Sequence, residues 1–118
     1  VIRGFAPFFR TRASKVGLVV AVSLPLTLFT AAVAALEAER GVAGSNINTF
    51  GDAIWWSIAS VTTVGYGDKF PVTPDGRFIA SLLMVVGIAL FSALTALMAA
   101  WVMGERRLEL DRERQKNE

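Results

Sequence analysis

The residues best suited to chemistry form one short run, Thr62-Thr63-Val64-Gly65-Tyr66-Gly67-Asp68. Two glycines flank a tyrosine, and a carboxylate follows at once. A Gly-x-Gly pair alone fits a phosphate loop, but here no Gly-Lys-Ser/Thr follows and no strand pattern precedes it. The chain has no histidine and no cysteine, which removes thiol chemistry, Cys/His metal sites and histidine acid–base catalysis. No other set of side chains forms a catalytic constellation, so an enzyme is not expected. What remains is the backbone itself. Glycine reaches backbone angles closed to other residues, so carbonyl oxygens in such a run can be made to point the same way.

The elements around the run decide what those carbonyls can do. The chain has 118 residues, 53% of them apolar, and a net charge of only +2. From Val16 to Leu36 there is no charge, which is about 31 Å of helix and enough to cross a bilayer core. Pro25 lies inside this run, and in lipid neighbouring helices and Ser/Thr side chains can satisfy the carbonyl it frees. A second uncharged run, Phe78 to Met103, is long enough to span with tilt. Two such helices cannot both be buried on every side in a soluble domain this small. Ala53 to Val61 is apolar but too short to span, and reads as a re-entrant helix. Asp52 can accept its first free N–H groups, and Thr49 with Asp52 has the spacing of a capping box.

Charge sets the orientation. Arg3, Arg10, Arg12 and Lys15 precede the first span, and Arg106, Arg107, Arg112, Arg114 and Lys116 follow the second. The only Lys or Arg residues in the segment between them are Arg40, Lys69 and Arg77. That distribution predicts both termini in the cytoplasm. There is no signal-peptide pattern at the start, and because the first residue is Val1 an upstream segment is expected.

Between two spans, a short helix enters and a non-helical segment must return. Such backbone is tolerated at membrane depth only inside protein or beside water. Four copies about an axis would stack rings of carbonyl oxygens, the arrangement that replaces the water shell of a potassium ion. At this point the run "TTVGYGD" resembles the selectivity signature of potassium channels. "AIWWSI" before it and "FPVTPDGRFIA" after it are similar to the pore helix and filter exit of that family, and "EAERGVAGSNINTFGDAIWW" to its turret and pore-helix entry. The resemblance covers about Ala35 to Trp101 and is strongest to bacterial channels, both two-helix and actinobacterial voltage-gated ones.

The resemblance implies an all-α membrane protein, two transmembrane helices flanking a pore helix and filter, assembled as a homotetramer that conducts K+ passively. It implies ion ligands at Thr63, Val64, Gly65 and Tyr66, with Gly67 completing the outer mouth. Thr62, Asp68, Trp55 and Trp56 would support the filter, the tryptophans with Tyr66 as an aromatic cuff and Asp68 bonded to an indole, that of Trp55. Phe70 would stand at the outer mouth, where four rings could hold a quaternary ammonium ion, with an aromatic packed on lipid or a helix as the competing reading. Where some two-helix relatives carry a pore-helix Glu, this chain has Ala59, so Asp68 is expected to lack a carboxylate partner and stay ionised.

In the inner helix Ile88, Phe91 and Thr95 share one face, which by resemblance lines the cavity. Ala99 and Met103 continue it to a hydrophobic constriction. Gly87 is expected to be a hinge, with close packing as the competing reading. Ser92, Ala96, Ala99 and Ala100 suit helix packing. The opening segment, basic with Phe5, Phe8 and Phe9 interspersed, reads either as an interfacial helix on anionic lipid or as the linker from an upstream voltage sensor, the latter preferred. Pro7 is expected to interrupt it. Arg77 is a further position for anionic lipid, and nothing points to nucleic acid.

These expectations divide the chain into a cytoplasmic basic segment (1–15), outer helix (16–36), turret (37–51), pore helix (52–62), filter (63–68), outer loop (69–77), inner helix (78–103) and cytoplasmic tail (104–118). A stand-alone two-helix channel with another stimulus, or a less selective cation channel, are the alternatives.

Overall fold

The computed structural model describes the backbone of residues 2–118 and side chains from Ser14 onward. Three helices follow in order: α1 (Ile2–Glu39), α2 (Phe50–Val61) and α3 (Pro74–Asn117). The side chains of Arg3, Arg10 and Arg12, on which the sensor-linker and anionic-lipid expectations rest, lie outside the described residues. α1 is continuous, without the interruption expected at Pro7. Pro7 is the sixth residue of the helix, so it withholds one backbone bond from the ladder, and the helix runs on through it.

Both long helices overrun their expected bounds. α1 continues to Glu39, since Glu37, Ala38 and Glu39 are helix-compatible and the stop comes only at Gly41, which has φ of 76°. α3 starts at Pro74 because Thr73 caps it, its hydroxyl accepting from the Gly76 N–H at 2.9 Å, with Pro74 in the first turn. That is the standard start, a hydroxyl cap followed by a proline whose missing N–H costs nothing there. α2 starts at Phe50, two residues before its expected first residue, because the cap is Thr49 rather than Asp52. Thr49 Oγ1 accepts from the Asp52 N–H at 3.1 Å and Asp52 Oδ2 accepts from the Thr49 N–H at 3.3 Å.

The end of α1 meets the start of α3 through Glu39 and Thr73, so these two helices run antiparallel, and α2 packs against both. The core lies where all three meet. Ala31, Ala32, Ala35 and Leu36 of α1, Ile47 of the connection, Ala53, Trp56 and Val61 of α2, and Ala80 and Leu83 of α3 form one buried cluster. Alanine on α1 opposite Ala80 lets the backbones approach closely, as small residues do between membrane helices.

Elsewhere the helices are bare. α1 from Ser14 to Glu39 and α3 are long and apolar enough to cross a membrane. They carry Leu18 at 67%, Leu26 at 62% and Val85 at 73% exposure, a density of exposed apolar surface foreign to a soluble domain. The molecule is 72 Å long but only 23 by 18 Å across, so its ends reach well past a hydrocarbon core of about 30 Å.

Candidate functional site

α2 aims its C-terminal end at the glycine run. Thr62 caps that end with its N–H bonded to the Ile58 carbonyl at 3.0 Å, and the Thr63 N–H bonds to the Ser60 carbonyl at 3.2 Å. The Gly65 N–H reaches back to the Ala59 carbonyl at 3.0 Å. These bonds give the last α2 carbonyls donors and fix the chain as it leaves the helix.

Backbone angles then alternate in sign class. Thr63 has φ of 63°, Gly65 of 55° and Gly67 of 80°. Thr63 is the sole non-glycine with positive φ among the described residues. For a β-branched residue that is a true outlier, costing roughly 1–3 kcal/mol. A left-handed residue at every second position turns alternate peptide planes over, an alternation by which successive carbonyls can be brought to one side. The side chains of Val64 and Tyr66 are exposed in the single chain, at 54% and 70%.

Supports converge on this segment from several elements. Trp55 Nε1 donates to Asp68 Oδ2 at 2.9 Å, the pairing expected from sequence, and the Trp55 ring stacks on Tyr66 with centroids 5.8 Å apart and planes 5° from parallel. Trp56 is not part of that group within the chain. It is 4% exposed and belongs to the core, since neighbouring helical residues point about 100° apart. The Lys69 Nζ lies 3.5 Å from Asp52 Oδ1. Asp52 is held below the usual carboxylate range, first by the Asn48 N–H at 3.3 Å, then by the Thr49 hydroxyl, the Lys69 charge and the Thr49 N–H, against some desolvation.

Three residues that matter here were not foreseen. Glu39 is fully buried, and its Oε1 alone accepts from the Val72 N–H at 3.0 Å, the Thr73 N–H at 2.8 Å and the Thr73 hydroxyl at 2.7 Å, while Oε2 is buried without a partner. Gly76 leaves room for that carboxylate. A methyl at Gly76 would collide with Glu39 Oε1 and come within 2.8 Å of Thr73 Oγ1. Asn46 bonds to the backbone at Asp68 and Phe70. The Thr-Pro-Asp-Gly sequence could have disclosed the α3 cap; no local pattern marks Glu39 or Asn46.

The remaining positions are scattered. Phe70 is half exposed at the exit of the segment, and Arg77 is exposed in the first turn of α3. Ile88, Thr95, Ala99 and Met103 are exposed, whereas Phe91 is partly buried against the core. The Thr95 hydroxyl bonds back to the Phe91 carbonyl at 3.0 Å. Ser92, Ala96, Ala99 and Ala100, suited to packing by sequence, meet no other element closely enough to be buried. Gly87 does: it is buried, and a methyl there would lie 2.7 Å from Val61 Cγ2. An apolar groove of about 390 Å³ between α1 and α3, lined by Leu26, Thr30, Leu82 and Val86 among others, contains none of the glycine-run residues. Among the described residues no group of acidic, histidine or cysteine side chains could hold a metal.

Comparison with known proteins bears on this geometry. Residues 18–104 match the model of a family described as "Ion channel". The chain is 45% identical over 77 residues to the calcium-gated potassium channel TvoK of Thermoplasma volcanium, covering 63% of this chain and 22% of that protein. A cyclic nucleotide-gated potassium channel of Rhizobium etli is 34% identical over 82 residues, 70% of this chain and 23% of its own. Potassium voltage-gated channel subfamily A member 5 of Rattus norvegicus is 41% identical over 61 residues, 52% of this chain and 10% of its own. The chain thus spans less than a quarter of the length of each of these relatives. With two apolar helices, a capped short helix between them and a match that runs through all three, the chain belongs to the ion channel family.

Proposed function

We propose that this chain is the pore unit of a potassium-selective channel, in which four copies surround one ion path. The carbonyls of Thr63, Val64, Gly65 and Tyr66, with the Thr63 hydroxyl, ligate K+ in place of its water, and Gly67 ends the stack. The observation that carries this reading is the alternation of left-handed backbone at Thr63, Gly65 and Gly67 in a segment braced by Trp55 and Asp68. Strain of that kind persists only where the surroundings over-determine it. The proposed assembly also gives the exposed Val64 and Tyr66 a place to be buried.

The chain sits in the cell membrane with both termini cytoplasmic, and it is a conduit rather than a catalyst. Ile88, Phe91 and Thr95 line the cavity, and Ala99 and Met103 form the constriction near the cytoplasmic side. Anionic lipid binds at Arg77 and along the basic opening segment. Relatives that share this portion are named for calcium, for cyclic nucleotide and for voltage. Their common part is therefore the conduit, and the stimulus enters from elsewhere. On the basic opening segment, the pore module of a voltage-gated channel is the first choice here and a stand-alone two-helix channel the second.

Purified protein in liposomes tests the reading. A potassium gradient should set a membrane potential that follows potassium and ignores sodium. A reversal potential near zero with sodium opposite potassium would replace it with a poorly selective cation channel.

A further inference from the structure

The segment that leaves the glycine run is tethered in an unusual way. From Tyr66 to Val72 no backbone–backbone hydrogen bond ties it to any other part of the described chain. Every tether is a side chain: Trp55 on Asp68, Asp52 on Lys69, Glu39 on Val72 and Thr73, and Asn46 on the two residues flanking Lys69.

Asn46 differs from the others. Its Nδ2 donates to the Asp68 carbonyl at 2.8 Å and its Oδ1 accepts from the Phe70 N–H at 3.0 Å. A carboxamide is both donor and acceptor in one plane, and here it serves the two peptides around Lys69 as one residue of a neighbouring parallel strand would, donating to the first and accepting from the second. The reversed amide would oppose two donors and two acceptors, so the orientation is determined by the pair. Holding both peptides around Lys69 fixes the directions of the Asp68 and Lys69 side chains, and so serves the Trp55 and Asp52 contacts as well. It also commits the Asp68 carbonyl to Asn46, which leaves that oxygen out of any ion-facing row.

We propose that Asn46 is a positioning residue for the outer mouth of the pore, setting how long the exit of the filter keeps its conducting shape. The proposal rests on the potassium-pore reading. When ions occupy the filter they hold it from within; when they leave, the side-chain tethers hold it alone. The contribution of Asn46 therefore shows at low external potassium and fades at high.

The test compares the unmodified protein with Asn46→Asp and Asn46→Ala in liposomes, following potassium flux over time at low and high external potassium. Asn46→Asp keeps size and acceptor but sets an oxygen against the Asp68 carbonyl. Asn46→Asp, which gives up one hydrogen bond, should lose conduction about tenfold faster at low potassium; Asn46→Ala, which gives up both, should lose it at least as fast, and both should match the unmodified protein at high potassium. Equal decay in all three, or an equal deficit at both potassium levels, would overturn the proposal, the second outcome marking a merely structural residue. Hydrogen exchange of the unmodified protein covers the case of variants that fail to fold. The Phe70 amide, in a half-exposed residue, should be protected, and exchange as fast as at exposed Gly41 would overturn the clamp. Absence of potassium flux in the unmodified protein would instead overturn the pore reading, and this proposal with it.

Discussion

The outer and inner halves of the two long helices differ in how much of their structure the single chain supplies. At the outer end, Glu39, Asn46, Asp52, Trp55 and Thr73 tie three helices and the loops together, and all the residues of the core cluster lie there. Toward the other end, Val20 is the one buried position of α1 between Ser14 and Thr30, and nothing in α3 beyond Gly87 is buried. The side-chain bonds there, Thr30 to Leu26 and Thr95 to Phe91, merely return to their own helix. The outer end is tied together by its own side chains, while the inner end is a pair of helices with long exposed apolar faces. The proposed function, a fixed filter above a movable gate, would use that division.

The largest effect should come from removing the hub of the outer end. Glu39→Ala strands three donors, and each one left without an acceptor away from water costs about 1–3 kcal/mol. Loss of assembled, heat-resistant protein in detergent is the expected result. Glu39→Gln should be much milder, since its oxygen can take the place of Oε1 and its NH2 falls at the position of the unpaired Oε2. Gly76→Ala should resemble Glu39→Ala, because its methyl occupies the space of the same carboxylate. If Glu39→Ala melts like the unmodified protein, the outer end is not self-supporting and the comparison breaks.

Next in size is the contact where the two halves meet. Gly87→Ala presses on Val61 Cγ2, and overpacking of this kind costs roughly 1–3 kcal/mol. Val61→Ala in the same protein should recover most of the loss, in thermal stability and in flux. A hinge role predicts otherwise: a stiffened Gly87→Ala helix would stay impaired with Val61 shortened. The double variant therefore decides between the two readings of Gly87, and the geometry favours packing.

Acid gives a smaller and more local lever. The Asp52 carboxyl is held below its ordinary value by Asn48, Thr49 and Lys69, so its cap contributes above the unfolded value, about 3.9. That contribution is lost as pH falls through the lower folded value. Thermal stability of the outer end should thus be level from neutral pH to about pH 5 as far as Asp52 is concerned, and fall only below about pH 4. Asp52→Asn should lower the plateau and flatten that fall. A midpoint already declining between neutral pH and pH 5, in a way Asp52→Asn abolishes, would contradict the assignment.

What could be read in advance follows the same division by range. The spans and the capping box were legible because they depend on uncharged length and on a fixed spacing, and the Trp55–Asp68 pairing because the family resemblance implied it. Trp55 and Trp56 looked alike, and only the helical period, applied to α2 as a positioned element, separates a filter residue from a core one. The start of α3 falls at Phe78 by the uncharged run, which begins there, and the Thr73-Pro74 cap that starts it earlier was not read. Glu39 and Asn46 were not legible at all. Each finds its partners more than twenty residues away, and an acid beside Arg40 or an amide in a polar connection looks in sequence like a solvated surface residue.

The inner end makes the smallest prediction, and the one most exposed to surprise. From Trp101 to Glu118 every residue is exposed, and α3 nevertheless stays helical to Asn117. In the single chain a stop codon after Gly104 removes no buried contact, and surface changes of that sort shift stability by no more than about 0.5 kcal/mol. The truncated protein should melt with the unmodified chain and, on the proposed function, conduct with the same preference for potassium over sodium, because the glycine run and its tethers lie wholly at the other end. A drop in melting temperature with selectivity intact would show that copies of the tail hold one another, and would move part of the scaffold to the inner end. A change in selectivity would be more serious, for it would mean that the outer end does not set its own geometry.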